Sequence, residues 1–402
     1  MKPRHIAVFT HMAAGHVLTS IDVCAELIRR GHRVTFPAND FFSAKLRGAG
    51  VEALELEFPK FSYPTKLLQH TPGDDSFFWR YFGSVDGPMC LMNALSVVGE
   101  LGEFYEANPP DVILHEWFNF AGRILAKHLR RPAVQLSTHF AHHKSMVRLN
   151  GMYTTPRPVL EFSPMLDNFM SMFGFQGTGH IWHAEPLNIF LLPRDFQYDV
   201  DSFDSRFKFV GVAFSGRSNA TPLRKNSDDG RPIVLISEGS GSTGDRFLKL
   251  CIEAFADSPY HVVFLTGVSN EEGSSVVLPR HFEIRRDTSN REILPFADVA
   301  VSQGGMQTTL ECLYHGVPVV AVPSMPFNSE VAFRLTELGV GGHVPGRGMT
   351  PLALRMAVDT ASMDDAIRSR VSRMQDHLKR NRGAELASDA IEEFLERGNA
   401  AA

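Results

Sequence analysis

Long apolar runs, paired cysteines and a dominant charge are all missing from this 402-residue chain, and each absence removes a class of function. No apolar stretch is long enough to span a membrane. The opening MKPRHIAVFTH enters a strand-like run without the apolar segment of a secretory leader, so the expectation is a cytoplasmic protein. Four cysteines, Cys24, Cys90, Cys251 and Cys312, stand apart without CxxC spacing in apolar surroundings, which points to buried thiols rather than disulfides. His139, His142 and His143 approach metal-ligand spacing, but no nearby carboxylate or cysteine completes a set, so no metal is expected. Forty Lys and Arg against 45 Asp and Glu leave a formal net charge of -5, which gives no reason to expect a nucleic-acid partner. No GxGxxG follows the first strand-like run, which weakens a dinucleotide reading.

What is present is an alternation of short apolar runs with helical segments. At 402 residues, 44% hydrophobic and 21% charged, the chain reads as a globular protein too long for one core, and two domains are expected. His5–Phe9 is the first strand. A turn of small residues from Thr10 to His16 follows, and then a helix over Ser20–Arg30 whose apolar face is Ile21, Cys24, Ala25, Leu27 and Ile28. Further strands are predicted at Arg33–Phe36, Glu52–Leu56, Val112–His115 and Ala133–Ser137. The alternation implies an α/β fold with doubly wound parallel sheets. A polar, turn-rich segment at 215–229 separates residues 1–214 from a second alternating region at 230–380. An amphipathic helix within 381–402 ends the chain.

In such sheets chemistry gathers beyond the carboxyl ends of strands. His16 lies after the first strand and Glu116 after Val112–His115, and an imidazole oriented by a carboxylate is a competent general base. The structural alternative is that His16 caps its helix while Glu116 pairs with a surface base, and His11 is a second candidate for the same role. Two glycine-rich strand-to-helix turns stand in the second half. One is Glu238-Gly239-Ser240-Gly241-Ser242-Thr243-Gly244; the other is Gln303-Gly304-Gly305 ahead of Gln307, Thr308, Thr309 and Glu311. Glycines let backbone N–H groups approach an anion, and a helix N-terminus adds more donors, so the pair points to a phosphate-bearing ligand. Phe77-Phe78-Trp79-Arg80-Tyr81-Phe82 and Pro164–Phe175, with Met165, Phe169 and Met170, have the composition of a pocket for a greasy ligand. Ordinary helix cores or a homodimer face explain those two stretches equally well.

The ordered set of segments resembles the family 1 GT-B glycosyltransferases, and most closely the bacterial enzymes that glycosylate macrolides and other secondary metabolites. FTHMAAGHVLTSIDVCAELIRRGHRVTF, PPDVILHEWFNFAGRILAKHLRRPAVQLS, FKFVG, LISEGS and GGMQTTLECLYHGVPVVAVP fall in the family's order over nearly the full length. The resemblance implies two Rossmann-like domains facing a cleft. Residues 1–214 would bind the acceptor, 230–380 the nucleotide sugar, and the 381–402 helix would pack back on the first domain. It makes His16 the base toward the acceptor hydroxyl, with Glu116 standing where the family has an aspartate. Gly239, Ser240, Gly241 and Ser242, with Gln303, Gly304, Gly305, Gln307, Thr308 and Thr309, would meet the donor's diphosphate, and Glu311 would hold ribose hydroxyls. Phe77, Phe78, Trp79, Phe82, His139, Met165, Phe169 and Met170 would line the acceptor site.

Three departures qualify that likeness. Gln303 replaces a histidine and brings no positive charge to the diphosphate. Asp287-Thr288-Ser289-Asn290 replaces a Trp-x-Pro-Gln segment, so no aromatic plane is offered to the nucleobase. Phe327-Asn328 replaces an Asp-Gln pair that grips sugar hydroxyls, which fits a deoxygenated sugar better than glucose. The implied reaction is inverting transfer from a TDP- or UDP-linked sugar to a hydrophobic natural product. It calls for no cofactor, and its partners are small molecules only. A sugar-nucleotide epimerase of the same fold and a catalytically silent relative are the competing readings.

Overall fold

The computed structural model describes residues 2–57, 87–142, 157–180, 183–214, 230–237, 245–266, 278–286, 288–323, 326–345 and 349–400. At 157–161, 245, 326–327 and 399–400 the backbone alone is described. The described residues form two compact units, one spanning 2–214 together with 381–400, the other 230–380.

In the first unit β1 (His5–Phe9), α1 (Ala14–Arg29), β2 (Arg33–Ala38), α2 (Asp40–Gly48) and β3 (Glu52–Glu55) lead to α3 (Gly87–Ala107). Then come β4 (Val112–His115), α4 (Phe120–His128), β5 (Ala133–Ser137), α5 (Arg157–Met172), β6 (Asn188–Phe190) and β7 (Phe207–Phe209). Among the described residues the seven strands form one parallel sheet in the order β3-β2-β1-β4-β5-β6-β7. The two-residue period of a strand distributes β1 between two cores. Ile6 and Val8 pack with Val17, Val23 and Leu27 of α1, whereas Ala7 and Phe9 pack with Leu91 and Leu101 of α3 and Ile124 and Leu125 of α4. Covered on both faces, the central strands need the near-continuous apolar runs seen in the sequence.

The second unit repeats the plan with β8 (Ile233–Ser237), α6 (Asp245–Phe255), β9 (His261–Thr266), β10 (Phe282–Arg286) and the short α7 (Asn290–Ile293). It continues through β11 (Val299–Ser302), α8 (Met306–Tyr314), β12 (Val319–Ala321), α9 (Pro326–Leu338), β13 (Gly341–His343), α10 (Pro351–Met363) and α11 (Asp365–Arg380). Its parallel strands run β10-β9-β8-β11-β12-β13. In each sheet the winding direction reverses at one place, between β1 and β4 in the first and between β8 and β11 in the second. Loops leaving adjacent strands diverge there and leave a crevice for a ligand.

The closing helix α12 (Gly383–Ala400) belongs to the first unit, where Ala387, Ile391 and Leu395 enter the core that contains Val17 and Leu27. Arg30 bonds Asp389 and Glu392 across that seam. His32 accepts from the Arg4 N–H at Nδ1 (3.2 Å), which leaves its Nε2–H to donate to Glu392 (2.9 Å). Gly383 permits the approach, since a Cβ there would lie 2.3 Å from the carbonyl oxygen of Val212. Cys24, Cys251 and Cys312 are buried, and Cys90 is half-buried. Among the described residues no helix is long and apolar enough to cross a membrane.

Candidate active site

The helix after β1 starts earlier than its apolar pattern. Ala14 opens it, and the Ala13 carbonyl accepts from the N–H groups of His16 and Val17, both at 3.0 Å. His16 therefore sits in the first turn of α1 rather than in a loop. The small residues Ala13, Ala14 and Gly15 carry no apolar period, which is why the pattern reads as starting at Ser20. Side chains on a helix lean toward its N-terminus, so His16 reaches back to the carboxyl ends of β1 and β4.

Glu116 waits there. The pairing of Phe9 with His115 brings Glu116 beside Thr10 and His11, and the Glu116 N–H donates to the Phe9 carbonyl at 2.9 Å. Strand alternation turns His115 the other way, to Glu185 at 3.0 Å. The Glu116 carboxylate is almost fully buried, and its Oε1 lies 2.7 Å from Nδ1 of His16. A carboxylate only accepts, so Nδ1 of His16 carries the proton and the lone pair of the neutral ring is at Nε2. Oε1 also accepts from the Thr138 hydroxyl at 2.9 Å, and Oε2 accepts from the His11 N–H at 3.1 Å. Glutamate, with its extra methylene, spans the gap.

Burial is the largest influence on Glu116 and would raise its pKa. Its neighbours His16 and His139 and the bond from the His11 N–H overcome that and hold it at about 2. His139 follows Thr138 beyond β5, with Nε2 3.4 Å from Nε2 of His16 and the two ring centroids 4.9 Å apart. The His11 ring stands 5.1 Å from that of His16 on another side. Burial first and the adjacent His16 second push His11 down to about 4 and His139 down to about 3. Two neutral imidazoles thus flank one that is tied to an ionised carboxylate.

At the switch point of the second sheet, β11 ends in Ser302, whose hydroxyl accepts from the Gly304 N–H at 3.1 Å. Gly304 has φ +76°, and a Cβ there would lie 2.9 Å from the carbonyl oxygen of Asn328, so this turn needs glycine on two counts. Gly305 precedes α8, which has neither a side-chain cap nor an acidic residue in its first turn. An N-terminus left so is suited to an anion. Glu311 is buried on α8, and its Oε1 accepts from Arg291 Nε at 2.8 Å and from Gln307 Nε2 at 2.9 Å. Asn290 of α7 reaches the Thr308 hydroxyl at 3.5 Å.

No family model matches the chain. Known proteins do. It is 32% identical to the NDP-glycosyltransferase YjiC of Bacillus licheniformis, over 98% of both chains. The chain belongs to the GT-B glycosyltransferases. The demethyllactenocin mycarosyltransferase of Streptomyces fradiae is 27% identical over 97% of this chain and 86% of its own. The crystal structure of CalG4, the calicheamicin glycosyltransferase, superposes with a TM-score of 0.79 at 28% identity over 99% of each chain. This glycosyltransferase is therefore an enzyme acting on nucleoside diphosphate sugars, built on two parallel-sheet α/β domains.

Several residues singled out in the sequence of the glycosyltransferase take other places. Phe169 and Met170 join Phe162 and Leu166 in a core against α3 and α4, so this i, i+4, i+7, i+8 stripe is packing and not a pocket lining. Met165 points outward, 44% exposed. Thr309 is fully buried, and its hydroxyl has no hydrogen-bond partner among the described residues. Phe77, Phe78, Trp79 and Phe82 lie outside the described residues, as do Gly239, Ser240, Gly241 and Ser242 and the side chain of Phe327. Among the described residues no cluster of three or more His, Cys, Asp and Glu is placed to hold a metal ion. Sequence reasoning missed Thr138 and Arg291. The first had a usable signal, a hydroxyl directly beyond the carboxyl end of β5; the second followed the segment that replaces Trp-x-Pro-Gln.

Proposed function

We propose that the glycosyltransferase transfers its sugar with inversion, His16 acting as general base and Glu116 orienting it. Nε2 of His16 takes the acceptor's hydroxyl proton, and the oxygen forms a bond to the anomeric carbon. The bond from that carbon to the diphosphate oxygen breaks, and the leaving nucleoside diphosphate carries away the electron pair. Glu116 keeps the Nδ1–H tautomer in place and balances the imidazolium as it forms. The observation that carries this reading is the 2.7 Å His16–Glu116 bond, with both carboxylate oxygens committed to donors from three separate segments.

The second unit receives the donor. Backbone N–H groups at Gly305 and the start of α8 stabilise charge developing on the diphosphate, with Gln307 and Thr308 beside them. Glu311 holds a hydroxyl of the nucleoside sugar. We infer a TDP- or UDP-linked deoxysugar as donor, because the sequence has Phe327 in place of the carboxylate that would grip a hydroxylated hexose. The acceptor is a hydrophobic natural product bound by the first unit, in keeping with relatives named as oleandomycin and calicheamicin glycosyltransferases.

Calorimetric titration of TDP and UDP into wild type and His16→Ala tests the assignment. Both proteins are expected to bind nucleotide while only wild type forms product, and coupling constants of the product's anomeric proton should show inversion. Retained configuration, or turnover by His16→Ala at the wild-type rate, overturns it.

A further inference from the structure

On the reading of His16 as the base, we propose that His139 provides the second point of a two-point seat for the acceptor hydroxyl, donating from Nε2–H to the oxygen whose proton His16 removes. The Nε2 atoms of His16 and His139 face each other at 3.4 Å. That is long for an N–H···N bond, so it is readily parted by an oxygen that bonds to both. A hydroxyl matches this pair because it is donor and acceptor at once. Its hydrogen goes to the lone pair of His16, one lone pair accepts from His139, and the other is left to face the anomeric carbon.

The surroundings leave this arrangement one consistent protonation pattern. The titratable groups acting on His139 are His16 from α1, Glu116 beyond β4, His142 from its own segment and His11 beyond β1. Among the described residues the cluster has one carboxylate for four imidazoles, and Glu116 is already paired with His16. A proton abstracted from the acceptor therefore stays on His16, next to its counter-ion, while His139 remains a neutral ring with one N–H. His139 is anchored by its backbone N–H to the Ser137 hydroxyl at 3.3 Å, next to Thr138, which binds Glu116. The base, its orienting carboxylate and the hydroxyl donor are thus set by adjacent strand ends.

The seat discriminates among acceptors. A thiol, which is already partly ionised near neutral pH and is a poor hydrogen-bond acceptor, gains little from a donor at His139. The test has two arms. In the resting protein, ¹⁵N spectra of histidine side chains, assigned with His16→Ala and His139→Ala, should show His139 protonated at Nε2; protonation at Nδ1 alone overturns the proposal. In the second arm, 7-hydroxy-4-methylcoumarin and its 7-thiol analogue are compared as acceptors with TDP-rhamnose, a deoxysugar donor, and with UDP-glucose and TDP-glucose. His139→Ala should lower kcat/KM for the hydroxyl compound at least tenfold and change the thiol reaction less than twofold, with His139→Gln, which keeps an N–H donor, recovering part of the loss. An equal loss for both compounds, or none for either, rejects the seat, and the spectral arm decides even where neither coumarin is turned over. His16→Ala run in parallel separates the two claims. Activity surviving that substitution removes the base, whereas activity lost there but kept in His139→Ala removes the seat alone.

Discussion

Arg291 donates through Nε to Oε1 of Glu311 at 2.8 Å, and Gln307 donates to the same oxygen at 2.9 Å. Oε1 thus accepts from two side chains, and we take Oε2 as the oxygen that would meet a nucleoside hydroxyl. One acceptor oxygen suits a 2′-deoxyribose, which offers one secondary hydroxyl, better than a ribose, which offers two. Wild type should bind TDP at least as tightly as UDP, and Arg291→Ala should shift the ratio of the dissociation constants toward UDP by about threefold to tenfold. Arg291 is partly exposed and Gln307 still donates to Glu311 without it, so the same substitution should cost about 1 kcal/mol of stability. Calorimetry of both nucleotides on both proteins checks it; an unchanged ratio refutes it.

Removal of the dyad should affect turnover and spare nucleotide affinity. His16→Ala is expected to lower kcat by about 10²- to 10⁴-fold. Glu116→Gln keeps an acceptor oxygen but loses the charge that balances the imidazolium, so a drop of about 10- to 10³-fold is expected. The dissociation constant for nucleotide should stay within about twofold in both, because the nucleotide-binding groups proposed above lie on the other unit. Steady-state rates beside calorimetry separate the effects.

Acid should destabilise the first unit early. His11 and His139 fall from 6.5 in the unfolded chain to about 4 and about 3 in the fold, so the unfolded state binds more protons between those limits. The stability they contribute is complete above pH 6.5 and is lost as pH falls toward 4 and then 3. Glu116, lowered from 4.5 to about 2, acts with the same sign in its own lower window. Melting temperature should therefore decline from near pH 6.5 downward, and His139→Gln should flatten that slope by removing one group. Scanning fluorimetry from neutral to acid pH measures it, and an identical slope in the variant counts against the assignment.

Gly304→Ala places a Cβ both in the left-handed region and 2.9 Å from the Asn328 carbonyl. The expected loss is about 2 kcal/mol or more, with nucleotide binding weakened because the turn must move. Gly305→Ala is the control, since a Cβ there meets no atom within 4 Å. Equal stabilities for the two variants would sink the argument.

The closing helix should prove part of the first unit's core. Ile391 is fully buried against the core that contains Val17 and Leu27, so Ile391→Ala should cost about 2 to 5 kcal/mol. Urea titration followed by far-ultraviolet circular dichroism gives the value. A cost below about 1 kcal/mol would contradict the packing.

Much of this protein is written in its local pattern. Buried parallel strands demand runs such as Val299–Ser302 and Ile233–Ser237, and helices on both faces demand a 3.6-residue apolar period, so the α/β class follows from residue order alone. The rule that loops beyond strand ends carry chemistry is also local, and it singled out His16, Glu116 and the Gly304-Gly305 turn. Pattern misled where one physical property serves two purposes. The Phe162, Leu166, Phe169 and Met170 stripe has the composition of a greasy pocket, but a buried helix face needs the same side chains.

The contacts themselves were a matter for tertiary structure. Glu116 lies 100 positions from His16 and Thr138 lies 22 from Glu116, and only the order β1-β4-β5 brings those strand ends together. Hydrogen bonds operate over about 3 Å, a distance that residue spacing does not encode. Strand adjacency decided that Nδ1 of His16 faces a carboxylate and that Nε2 faces His139, and the contact of α7 with α8 decided that Arg291 claims an oxygen of Glu311. The residues able to do this chemistry are present in the sequence; their assembly depends on which strands the fold makes neighbours.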